Sequence, residues 1–178
     1  VVLPFSYDNT TERAKIKKLE LAIQMGVEER QNYDPVDLAV DIYQTTSGDD
    51  PIMTQADYAA DSHMRPTEVK KYYDGAVYMK KFLKFIGAPE NNFNIIKESK
   101  VWSLFYEMGK SLSKNFGDDP ESQVRKNETM NSYFGVILYQ IHVGVSGNTA
   151  RTHIREYGKN IVNSVDNEDF NDDVADMV

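Results

Sequence analysis

The chain has 178 residues, 40% of them hydrophobic, enough apolar side chain for one medium domain or two small ones with cores of their own. It contains no cysteine, which excludes disulfides, thiolate zinc sites and cysteine nucleophiles and suits a reducing cytoplasm. The net charge of −8 is, as a total, a poor match to phosphate, and no stretch approaches the roughly 20 apolar residues of a spanning helix, so a soluble, cytoplasmic chain is expected.

Residues 1–5, VVLPF, read as one short strand, and the opening is too short for a signal peptide. Thr11 or Asn9 then caps a helix from about Glu12 to Met25, with Ile16, Leu19 and Ile23 at helical spacing as its buried stripe. Gly26 stops it. Asp34-Pro35 starts the next helix, since proline at the first turn loses no hydrogen bond, and Val36, Ala39, Val40 and Tyr43 form its stripe. TTSGDDP, residues 45–51, is a turn-rich linker closing a first block, 1–46.

A second block, 51–116, carries the most informative segment, TQADYAADSHMRPTEVKKYY. Two short helices that cross at a tight turn need a small residue at the crossing and apolar residues facing the core. Counting Gln55 as the first position, Tyr58 and Ala59 fill the fourth and fifth, and Ser62-His63-Met64 forms the turn with Met64 pointing inward. Pro66 suits the first turn of the second helix, and Val69, Tyr72, Ala76, Met79, Leu83 and Ile86 make a single apolar stripe along it. His63 occupies the turn position where φ is often positive and glycine is most comfortable.

Thr67, Lys70, Lys71 and Asp74 lie opposite the stripe, on the side that a recognition helix turns toward the major groove. The DNA-facing set is Thr54, Gln55, Arg65, Thr67, Glu68, Lys70, Lys71, Lys80, Lys81 and Lys84. Within it Arg65 and Thr67 suit base edges and Lys70 and Lys71 suit phosphates. Charge is segregated accordingly: residues 62–86 carry a local balance of +4. Residues 165–178 hold six acids and no base, and without them the total falls from −8 to −2. The alternative is an ordinary helical hairpin with a solvated charged face.

The rest of the chain is helical by pattern. A loop at residues 87–92 precedes an apolar stretch around Val101, Trp102, Leu104, Phe105 and Met108, and a break falls at residues 117–120. The third block, 121–164, has a helix over about 130–143, apolar nearly all round and so fully buried or a dimer contact. GVSGN follows as an interhelical turn, with Asn148 or Thr149 capping a helix to about Val162. That last helix carries Arg151, His153, Arg155 and Lys159; Arg151 and Arg155 either grip phosphates beside the motif or belong to a charged surface serving a partner or the acidic tail. Residues 165–178 read as a disordered tail. The fold class is all-α, with at most the one amino-terminal strand.

ERQNYDPVDLAVDIYQ, followed after the linker by MTQADYAADSHMRPTEVKKY, resembles the central region of ParB-like chromosome and plasmid partition proteins, the group that includes KorB and Noc. Arg30, Tyr33, Pro35 and Asp37 match the family's lead-in to its helix-turn-helix, and the resemblance covers residues 1–111. It implies a site-specific double-stranded DNA binder, a homodimer on a palindrome, acting at the nucleoid in plasmid, phage or chromosome partition or in transcriptional control. A ParA-like ATPase is the partner it implies. The family's arginine-rich nucleotide box is absent, and its metal- and CTP-holding positions fall here on Gly26 and Val27, so no cofactor is expected.

Other chemistry finds no support in the residues. His63, His142 and His153 match no ligand spacing, GVSGN lacks the lysine of a phosphate loop, and no nucleophile–base pair can be assembled, so neither a catalytic residue nor a metal is expected. The competing class is a helical protein-interaction module, an adaptor or antagonist using its acidic surface.

Overall fold

The structure, a computed structural model, describes residues 10–25 and 34–164. All the regular structure among these residues is helical: α1 (Thr10–Met25), α2 (Pro35–Thr46), α3 (Gln55–Asp61), α4 (Pro66–Phe85), α5 (Asn94–Glu98), α6 (Trp102–Asn115), α7 (Pro120–His142) and α8 (Gly147–Ser164). The all-α class is therefore correct. The expected strand at residues 1–5, the caps and stops at Asn9 and Gly26, the lead-in residues Arg30 and Tyr33, and the acidic segment 165–178 lie outside the described residues.

The chain forms two compact units, Val1–Ala76 and Val77–Val178, which part inside α4 rather than at a turn-rich segment. In the first unit, α1 and α2 both pack on α3. Leu21, Leu38, Ile42, Met53, Tyr58, Ala59 and Val69 form its core, and Met64, Tyr72 and Tyr73 pack against them. Helix α2 begins as its Asp-Pro dipeptide predicts: the Asp34 side chain accepts from the Val36 amide at 2.8 Å, with Pro35 in the first turn.

Two buried stripes differ from expectation. On α1, Leu19 and Ile23 are exposed, Ile23 by 62%, and the inward face is Lys17 and Leu21. The reason is electrostatic: Lys17 is buried because its ammonium reaches the carboxylates of Asp41 and Glu20, so a cation occupies a packed face that hydrophobicity alone assigns to leucine and isoleucine. On α2, Leu38 and Ile42 are buried with Val36 and Ala39, while Val40 and Tyr43 are only half-buried. Tyr43 instead meets Tyr73, ring centroids 5.5 Å apart.

In the second unit, α6 packs on α7 and α8, which also touch each other. Phe82, Phe105 and Phe134 are fully buried, and Phe82 meets the other two edge-on at 5.2 and 5.5 Å. Helix α7 starts ten residues earlier than expected. Asp119-Pro120 is the same start signal as Asp34-Pro35, and the Asp119 side chain accepts from the Ser122 amide at 2.8 Å. Its apolar end is not wholly covered: Tyr133, Phe134 and Ile137 are buried, but Tyr139 and Val143 are exposed. Helix α8 begins at Gly147, so Asn148 and Thr149 lie inside its first turn rather than at its cap.

Candidate nucleic-acid interface

The segment with the strongest sequence signal folds as a seven-residue helix, a four-residue turn and a twenty-residue helix. Thr54 caps α3, its hydroxyl accepting from the Asp57 amide at 3.1 Å and donating to the Asp57 carboxylate at 2.7 Å. The far end closes as a Schellman motif. The Met64 amide donates to the Ala59 carbonyl at 3.1 Å and the His63 amide to the Ala60 carbonyl at 3.4 Å. This places His63 in the left-handed region, φ +55°, as the turn position requires. Ser62 is buried, donating its hydroxyl to the Tyr58 carbonyl at 2.6 Å.

Pro66 opens α4, and Glu68 reaches back to accept the Arg65 amide at 3.3 Å, the carboxylate half of a capping box. Val69 anchors this helix in the core of the first unit, with Tyr72 and Tyr73 beside it. At 100° per residue, Thr67, Lys70, Lys71 and Asp74 share one arc facing away from Val69. Thr67 and Lys70 are exposed, and Lys71 and Asp74 are half-buried. Arg65 and Thr54 are exposed as well, and Gln55 and Glu68 are half-buried.

Two of these cations, Arg65 and Lys70, have local carboxylate partners. Arg65 pairs with Glu68 at 2.9 Å and Lys70 with Asp74 at 2.9 Å. The hydrogen bond that its guanidinium donates to Glu68 is the main reason that Arg65 is held above its ordinary pKa. The Lys71 ammonium lies 5.8 Å from the Tyr72 ring centroid. Both ion pairs are exposed and screened by solvent, so a phosphate can replace either carboxylate at small cost. The spacings i,i+3 and i,i+4 were visible in the sequence as the signal for these pairs.

The remaining sequence-predicted residues fall in the second unit. Lys81 and Lys84 are exposed and Lys80 half-buried on the later part of α4, with the Lys81 ammonium 5.8 Å from the Tyr78 ring centroid. Arg151 and Arg155 lie on α8. Arg155 is taken up by the second unit itself, holding Glu107 of α6 through both guanidinium ends, one of them at 3.1 Å. Arg151 donates to the Asn148 side chain.

Among the described residues no helix is long and apolar enough to cross a membrane, and no group of three or more histidine, aspartate and glutamate side chains is arranged to hold a metal. His63, His142 and His153 are all exposed. No family model matches the chain, nor does a curated protein or a solved structure.

Proposed function

We propose that the chain binds double-stranded DNA site-specifically, laying the first turns of α4 in the major groove in the manner of ParB-like proteins. The observation that supports it is the division of labour along α3, the turn and α4. Tyr58, Ala59, Met64 and Val69 hold the element on the core of the first unit, while Thr67 and Lys70 stand clear of it. Arg65 and Thr67 read base edges at the amino end of α4. Lys70 and Lys71 hold phosphates, and Thr54 and Gln55, at the start of α3, meet the backbone. The biological setting that fits is plasmid, phage or chromosome partition or transcriptional control. There the chain acts as a homodimer, and in partition it works with a ParA-like ATPase.

The test is selection of bound duplexes from a random pool, read by fluorescence anisotropy. The expected result is one enriched sequence whose binding falls at least tenfold in the double variant Lys70→Glu, Lys71→Glu. No enrichment, with binding indifferent to that variant, rejects the proposal.

A further inference from the structure

Helices α6 and α8 enclose an open groove of about 530 Å³ in the second unit. Its walls carry Lys110, Lys114, Arg155 and Lys159 against one carboxylate, Glu107. In a chain of net charge −8 this is a concentrated patch of positive charge. Lys110, Lys114 and Lys159 are exposed. Ser111 and Gly158 also line it, and behind them the buried Tyr133 donates its hydroxyl to Ser111 at 2.9 Å.

The groove already holds one carboxylate. Glu107 accepts from Arg155, and it is held below its ordinary pKa first by that hydrogen bond and then by the charges of Arg155, Lys110 and Arg151. A second acidic side chain entering beside Lys110 and Lys114 meets the same field.

The chain supplies such a ligand. Residues 165–178 contain Asp166, Glu168, Asp169, Asp172, Asp173 and Asp176 and no base. They follow directly on α8, whose last residue, Ser164, is about 7.5 Å along the helix from Lys159 at the usual rise per residue. Fourteen residues reach up to about 46–50 Å when extended, several times that distance, so the segment can turn back over the groove. Covalent linkage sets its effective concentration on the order of millimolar, so weak contacts suffice.

We propose that the groove between α6 and α8 is the docking site of the chain's own acidic segment, residues 165–178, with its carboxylates against Lys110, Lys114 and Lys159. The occupant is chosen by charge complementarity and by continuity with α8. This does not rest on the DNA-binding reading, and its test needs no DNA.

The chain has no cysteine, so Met177→Cys gives a single site for a nitroxide spin label on the full chain. Amide signals of Lys110, Ser111, Lys114 and Asn115 are compared between that chain and one in which the six acids are changed to Asn or Gln, label unmoved. The neutral segment supplies the broadening due to mere proximity. Docking requires these signals to lose at least half their intensity relative to the neutral chain in dilute buffer. The loss should vanish in 1 M salt, where the screening length is about 3 Å. It should also shrink at least twofold in Lys114→Glu, read at Lys110 and Ser111.

Equal broadening with acidic and neutral segments, or broadening indifferent to salt, overturns the proposal. Adding a mixed-sequence duplex separates the other polyanion. If duplex shifts the α6 and α8 signals while the label never broadens them beyond the neutral control, the groove takes nucleic acid instead and the proposal is wrong. DNA binding through α4 is read at Thr67, Lys70 and Lys71, so its failure is scored separately.

Discussion

Tyr58 donates its hydroxyl to the Asp41 carboxylate at 2.7 Å, while the Lys17 ammonium engages the other oxygen of the same carboxylate. One side chain of α2 thus joins α1 and α3, and through α3 it steadies the helix that leads into the turn. Both dependants are buried: Tyr58 is fully enclosed and Lys17 is 7% exposed.

Asp41→Ala should therefore take the shared acceptor from a buried hydroxyl and leave the buried ammonium with only the longer contact to Glu20, at 3.4 Å. The cost of unsatisfied buried groups is about 1–3 kcal/mol. Tyr58→Phe removes one donor and leaves Lys17 paired, so about 0.5–1.5 kcal/mol is expected. Urea denaturation of the two variants should rank them in that order. Equal stability of Asp41→Ala and the parent chain would show that the junction carries nothing.

The turn between α3 and α4 is strained at one place. His63 sits at φ +55°, a region that costs a residue with a Cβ about 1–2 kcal/mol. His63→Gly should raise the stability of the chain by up to about 1 kcal/mol, part of the relief being offset by the greater freedom of glycine in the unfolded chain. His63→Val should lower it, because branching at Cβ worsens the same contact. Thermal melts decide the sign.

Gly158 of α8 lines the α6–α8 groove. A Cβ there meets the Tyr133 hydroxyl at 2.5 Å and the Ser111 hydroxyl at 3.2 Å. Overpacking of this kind costs about 1–3 kcal/mol, more than the roughly 1 kcal/mol that alanine gains over glycine in a helix. Gly158→Ala should therefore destabilise the chain, and adding Tyr133→Phe, which removes the clashing oxygen, should recover most of the loss. A double variant no better than the single one places the clash elsewhere.

The Glu107–Arg155 pair links α6 to α8 and gives stability a pH dependence of definite sign. The pair depresses the Glu107 carboxyl in the folded chain. Its contribution is therefore complete above the ordinary glutamate value of about 4.3 and is lost as pH falls through the lower folded value. Glu107→Gln should be less stable than the parent chain at pH 7, with the difference narrowing as pH falls below about 4. A gap that stays constant down to pH 3 would mean that the carboxylate charge is irrelevant to the helix pairing.

If Lys70 and Lys71 each meet one phosphate, each removal should lower the slope of log K against log salt concentration by about 0.9. Lys70→Ala frees Asp74 as well as removing a cation, so Lys70→Ala with Asp74→Asn isolates the phosphate contact. Anisotropy titrations across a salt series measure the slope. An unchanged slope in the lysine variants removes both residues from the interface.

Much of the local architecture was decided by short-range chemistry and is legible in the chain itself. Asp34-Pro35 and Pro66 mark helix starts because proline lacks only a donor that the first turn does not use. Asp119-Pro120 carried the same message, but the polar run that follows it hid the first ten residues of α7, since a solvated stretch has no apolar period to read. The turn at Ser62-His63-Met64 and the burial of Tyr58, Ala59 and Val69 also follow from local pattern, as does the exposure of Thr67 and Lys70.

What tertiary structure alone decided is which chemically possible face each helix turned inward and which charges found one another. Leucine and isoleucine at Leu19 and Ile23 mark an equally good stripe on α1, yet the helix buries Lys17 and Leu21, because Asp41 lies 24 residues away in sequence and beside Lys17 in space. Arg155 and Glu107 stand 48 residues apart, and nothing in the spacing of either pairs them. Periodicity and capping act through neighbouring backbone and so are written locally. The choice among near-equivalent faces is made by partners that only the fold brings within reach.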